Sequence, residues 1–243
     1  MAEPGGDVLD QGPFGIEQDE GWRTALAPVP TGEPVRNPGL GLVGYAWEEA
    51  GPSIAAREGR ESLERHVRKL AALPFVDVLY IRCDWRDVQR RPGRLDLAPV
   101  WALAREAAAA RGLRIAFRVM MSNTVGQPGR LAIPDFLSER VPCPVVGRLA
   151  EGDMREPAYG HPAFQAAFRE LNGLLAAEFD GDPLVEFVDL MMYGFWGEGH
   201  THTFVAPFPN FAAARDTFLA MTAFQLETWK RAPLAVNTQP DIS

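Results

Sequence analysis

Apolar segments of strand length alternate along this chain with segments of helical periodicity, and no other feature restricts the fold as much. Strand-like runs occupy Leu40–Trp47, Val76–Cys83, Leu113–Met120, Leu184–Phe195 and Leu234–Asn237. Between them, Arg60–Leu73 carries Leu63, Val67, Leu70 and Leu73 on one helical face. Leu97–Arg111 is alanine-rich and closed by Gly112, a helix terminator. Pro162–Phe179 and Phe211–Arg231 read as two further helices. Strand followed by helix, repeated, predicts an α/β fold with a parallel sheet and right-handed crossovers. Two closures satisfy that order: an open doubly wound sheet or a (β/α)8 barrel. The first strand is not followed by Gly-x-Gly-x-x-Gly, which weakens a dinucleotide-binding reading.

The apolar run Val185–Phe195 has few polar atoms on either face and suits a strand buried on both sides. It stops abruptly at Trp196-Gly197-Glu198-Gly199-His200, where a carboxylate stands between two glycines beside an indole and imidazoles. Carboxyl ends of strands are where α/β folds build ligand sites. The other strand ends also carry polar or aromatic groups: Trp47 and Glu48, Asp84 and Trp85, Arg118 and Asn123, Asn237. Such a collection predicts a concave polar site lined with aromatics. A sugar matches it, since ring faces stack on its C–H surface while carboxylates and amides bond its hydroxyls.

Bulk properties exclude several alternatives. A net charge of −8 over 243 residues argues against a nucleic-acid partner, which needs a basic face. Two cysteines, Cys83 and Cys143, make no disulfide framework, and Cys83 is expected in the core. No window approaches the roughly 18 apolar residues of a membrane helix. The amino terminus lacks the basic and apolar regions of a signal peptide, so a cytoplasmic location and no membrane partner are expected. Residues 1–36, rich in Gly, Pro and acids, are expected to be a flexible leader. Residues 121–160, with five prolines, are expected to be one long functional loop.

The stretch Trp85-Arg86-Asp87-Val88-Gln89-Arg90-Arg91-Pro92-Gly93-Arg94-Leu95-Asp96 resembles the signature after the second strand of clan A glycoside hydrolases. Ala110–Val119 is similar to the entry into the third strand of their family 42. Asn37–Gly41 and Tyr193–Thr201 resemble β-galactosidase-like proteins related to that family, and the resemblance spans roughly residues 37–241. It implies a (β/α)8 TIM barrel, of which residues 37–243 are the N-terminal portion, about five βα units. It further implies retaining hydrolysis of β-linked sugars with Glu198 as general acid/base, without cofactor or metal. The second carboxylate, a nucleophile after a seventh strand, is expected outside this chain, so the chain alone is expected to be inactive. Active members carry Asn before the acid/base, where this chain has Gly197.

As acid, Glu198 needs a pKa raised by a dry aromatic surround, to which Tyr193, Phe195 and Trp196 would contribute. Asp84, Trp85, Arg118, Tyr193, Trp196, His200 and Asn237 are the expected substrate-binding residues, with Trp85 equally readable as core. Arg118, a charge inside an apolar strand, needs a partner, Glu198 or Asp84. A non-catalytic carbohydrate-binding barrel is the alternative, and a metal-dependent hydrolase using Glu198, His200 and His202 a weaker one. His66 is expected to be solvated, and His161 to belong to a helix cap. Nothing in the sequence points to an oligomeric state.

Overall fold

A computed structural model describes residues 41–48, 51, 58–123, 129–202 and 204–236. The expected leader and Asn237 lie outside the described residues. The described residues hold seven strands: β1 (Leu42–Trp47), β2 (Val76–Asp84), β3 (Arg114–Met120), β4 (Val145–Leu149), β5 (Gly152–Arg155), β6 (Val185–Asp189) and β7 (Leu234–Ala235). Five of them form one parallel sheet in the order β1-β2-β3-β6-β7, and β4 pairs with β5 as a separate antiparallel hairpin.

The helices are α1 (Leu63–Ala71), α2 (Pro99–Arg111), α3 (Asp135–Ser138), α4 (Pro162–Phe179) and α5 (Phe211–Thr228). Their starts follow from local chemistry. Ser62 Oγ accepts the Arg65 N–H, His161 Nδ1 that of Ala163, and Asn210 Oδ1 that of Ala213. Pro99 and Pro162 stand where a missing N–H costs nothing. Gly112, at φ 67°, closes α2 in the left-handed conformation that glycine adopts without a Cβ clash.

The main sheet has two unlike faces. Alternate residues Leu79, Ile81, Cys83, Ile115, Phe117, Val119 and Val188 join one core with residues of α1, α2, α4 and α5. Small side chains at Ala104 and Ala108 let α2 lie close, and Trp101, Phe117 and Phe179 interlock with ring centroids 5.0–5.1 Å apart. On the other face, Val78, Tyr80 and Ala116 form a small second cluster with Phe187, and no helix contributes to it. A doubly wound sheet reverses its strand order and carries helices on both faces. Here the main strands run in chain order with helices on one face, which is a wall of a (β/α) barrel seen from outside and inside.

Three expectations are corrected. The apolar run after Val185 is not one strand: β6 ends at Asp189, and residues 190–193 are buried irregular backbone. Its pairing partner β7 has two residues, so the ladder ends there, and Gln225 of α5 takes over by bonding the Met191 N–H and carbonyl at 2.8 and 3.0 Å. Residues 121–160 are not featureless, since the described part holds α3 and the β4–β5 hairpin. His66 is partly buried rather than fully solvated, and its ring nitrogen lies 3.0 Å from the Tyr45 carbonyl oxygen. No helix among the described residues is long and apolar enough to cross a membrane.

Candidate functional site

The helix-free face of the sheet carries charge where a barrel interior begins. Strand alternation puts Tyr80, Arg82 and Asp84 of β2, and Ala116, Arg118 and Met120 of β3, on that face. Arg82 and Arg118 are direct register partners, so two guanidiniums stand side by side, almost buried. Such a pair persists only with anions beside it. Asp189, the last residue of β6, accepts from Arg118 Nη2 at 2.9 Å and also from the Tyr80 hydroxyl. Glu198 Oε1 accepts from Arg82 and, at 3.1 Å, from Arg118 Nη1.

Glu198 reaches that position because residues 194–200 turn back on themselves. The Phe195 N–H donates to the His200 carbonyl at 2.9 Å, and Gly199 N–H to the Tyr193 carbonyl at 2.9 Å. Gly194 has φ 75°, and a β-carbon there would fall 2.0 Å from His200 O, so the turn requires glycine. Trp196 itself adopts φ 48°, a left-handed conformation costing about 1–2 kcal/mol for a residue with a side chain. Its carbonyl faces Arg118 Nη1 at 3.4 Å, and Arg82 lies 5.8 Å from its ring centroid. The Trp196 indole N–H is buried without a partner among the described residues. His200 Nε2 sits 3.3 Å from Glu198 Oε2, and its ring stacks on Phe195.

Burial alone would raise the Glu198 pKa, but the charges of Arg82 and Arg118 and their hydrogen bonds outweigh it and hold it below the ordinary value. The expected raised pKa is therefore corrected: two guanidiniums override the effect of burial. Asp84 behaves oppositely. Burial, then the nearby Asp87 charge, push it up to about 7, against the Asn123 amide that donates to its Oδ1 at 2.9 Å. Arg118 pairs with Glu198 and Asp189 rather than with Asp84.

Glu198, Arg118, Trp196 and His200 are brought together, with Asp84 at the end of the neighbouring strand. Trp85 is not at the site: it is fully buried in the helix-side core against Phe164, its indole N–H donating to Gln89 at 2.8 Å. Tyr193 is likewise fully buried, among Tyr159, Phe208 and Phe218, and serves as footing for the loop. Among the described residues no group of three or more His, Cys, Asp or Glu could hold a metal, and His202 is exposed. The 85–96 signature forms a turn docked on α4, where Gly93 N–H and the Gln89 amide both donate to Glu170 at 2.7 Å.

Sequence reasoning missed Arg82, Asp189 and Glu156. The first two carry the signal that singled out Arg118, a charge inside an apolar strand. Glu156 follows the hairpin and is fully buried, accepting from Ser122 Oγ at 2.5 Å and from the Tyr159 hydroxyl. Burial pushes it up to about 8, against those two donors.

No protein-family model matches the chain, and no curated protein sequence matches it. Among solved structures it is similar to exo-β-1,4-mannosidase Op5Man5 from Opitutaceae bacterium strain TAV5, with a TM-score of 0.50 and 15% identity over 81% of this chain. It is equally similar to endo-glycoceramidase II from Rhodococcus sp., with a TM-score of 0.50 and 16% identity over 81% of this chain. The chain covers 31% and 48% of those proteins. At such identity the likeness establishes the fold alone, a portion of a (β/α) barrel.

Proposed function

We propose that this chain binds β-linked sugars at the carboxyl ends of its strands, as part of a glycoside-hydrolase-like barrel, with Glu198 as the central carboxylate. One observation carries the reading. An ionised carboxylate, two guanidiniums, an imidazole and an indole with an unsatisfied N–H converge on the face that a barrel turns inward. A carboxylate accepts hydrogen bonds from sugar hydroxyls, and the indole offers both a donor and a stacking face. Op5Man5 and endo-glycoceramidase II, the latter in complex with a cellobiose-like imidazole, lend this substrate class support by name.

Hydrolysis of the β-galactosidase type is the second reading, favoured by the position of Glu198 just beyond the fourth barrel strand. It requires Glu198 to gain a proton that Arg82 and Arg118 disfavour. A calorimetric titration of the 243-residue chain with methyl β-D-galacto-, gluco- and mannopyranosides, beside an aryl β-glycoside assay, separates the two. Binding that Glu198→Ala abolishes, without turnover, is the expected result. Turnover lost in Glu198→Gln would establish the hydrolytic reading, and no binding of any probe would overturn both.

A further inference from the structure

The buried Glu156 carboxyl has no place in the site just described, yet its hydrogen bonds lead to it. Its Oε2 accepts from the Tyr159 hydroxyl, and the same hydroxyl oxygen accepts the Gly194 N–H at 3.1 Å. Gly194 is the residue at which the chain turns into the Glu198 loop, and only glycine fits there, since a β-carbon would fall 2.0 Å from His200 O. On its other side, Glu156 Oε1 accepts from Ser122, whose neighbour Asn123 bonds Asp84. Glu156, Tyr159 and Ser122 are at most 2% exposed.

We propose that Glu156 is a positioning residue of this site: with Tyr159 it pins Gly194, and through Gly194 it fixes where Glu198 stands. The inference rests on the sugar-binding reading only for its functional consequence, not for the loop placement itself. Tyr159 is wedged between Phe164, Tyr193 and Phe208, so its ring cannot follow the loop and its hydroxyl acts as a fixed post. The post holds only while Oε2 accepts from it.

Protonation of Glu156 tests this arrangement. The groups acting on it are its own burial, Ser122 and Tyr159, and no cation is among them. Facing it from packed segments are the Cys143 thiol, which burial and then Glu156 itself push up, and Tyr159, raised well above its ordinary value by burial. Asp84 lies one link away through Asn123 and Ser122. Among the described residues a charge appearing on Glu156 has only the Ser122 and Tyr159 hydroxyls beside it, which do not offset its burial, so ionisation favours states in which water enters and Tyr159 or the loop moves. The neutral form holds the loop, so the hold is complete below the ordinary carboxylate range, weakens as pH rises toward about 8, and weakens no further above it.

Hydrogen exchange of the 190–200 segment in the full chain, corrected for intrinsic rates, reads the hold directly. Between the ordinary carboxylate value and about pH 8, protection of that segment in the wild type should fall by up to about tenfold per pH unit and then level off, while the β2–β3 ladder stays protected. Glu156→Gln, which stays neutral, should keep its protection across the same range. Tyr159→Phe, which removes the post, should expose the segment at every pH. Wild type and Glu156→Gln losing protection in parallel would overturn the proposal, as would a Tyr159→Phe loop as protected as the wild type. Affinity for the methyl β-glycosides should follow the same pH profile. Absence of sugar binding would refute the proposed function while the exchange data still decide the role of Glu156.

Discussion

Replacing Glu198 by glutamine removes one negative charge from between two guanidiniums and changes almost nothing else. The amide keeps the shape and one acceptor oxygen, so Arg82 and Arg118 lose charge compensation rather than packing. Arg118 retains Asp189 at 2.9 Å, whereas Arg82 gives up its charge-assisted bond to Glu198. Breaking a buried ion pair costs about 3–5 kcal/mol. The Glu198 side chain is 14% exposed, so water screens part of that loss and the expected destabilisation is about 2–3 kcal/mol at pH 7. The sign with pH follows from the lowered pKa. The contribution of Glu198 is present above its unfolded value near 4.3 and is lost as pH falls through its lower folded value. Urea unfolding of both proteins, followed by tryptophan fluorescence, should show a gap at neutral pH that narrows in acid. A double-mutant cycle with Arg82→Met isolates the pair. Equal stability at pH 7, or a gap independent of pH, would refute the ion-pair account and return Glu198 to the role of a general acid with a raised pKa.

Two other substitutions test the surroundings. Asp84 is 2% exposed and its pKa is raised to about 7, so wild-type stability falls as pH rises between its unfolded and folded values. Three pKa units correspond to about 4 kcal/mol, and Asp84→Asn, which cannot ionise, should be the more stable protein in urea at alkaline pH, the advantage vanishing in mild acid. Identical pH profiles would remove the buried-carboxyl argument. Gly194→Ala combines a left-handed backbone with a β-carbon 2.0 Å from His200 O, so it should disrupt the Glu198 loop well beyond the ~1 kcal/mol of the conformation alone. Loss of methyl β-glycoside affinity with an unchanged far-ultraviolet spectrum is the expected observation, and wild-type affinity would sink it.

The alternation of strands and helices was legible because each element's period is written locally, in residues two or three and four apart. Gly112 and His161 mark helix ends where the sequence alone predicts them, whereas Ser62 caps α1 two residues beyond the expected start at Arg60. Glu198 was legible as a candidate site residue because two glycines flank a carboxylate after an apolar run. Trp85 was misplaced because an aromatic after a strand looks the same whether it turns inward or toward α4. Residues 190–193 passed for strand because burial by α5 selects the same apolar residues as pairing in a sheet. Glu156 lay in a segment without periodicity, and nothing next to it in the chain says that it is dry.

What the sequence determined by itself is the set of elements and their order, since propensity, capping and periodicity depend on neighbours in the chain. Protonation was decided only in three dimensions. Glu198 is held as a carboxylate by Arg82 and Arg118, 116 and 80 residues away. Asp84 and Glu156 are pushed the other way by burial that no local pattern records. A pKa depends on the distance to charges and to water, and tertiary packing alone sets those distances.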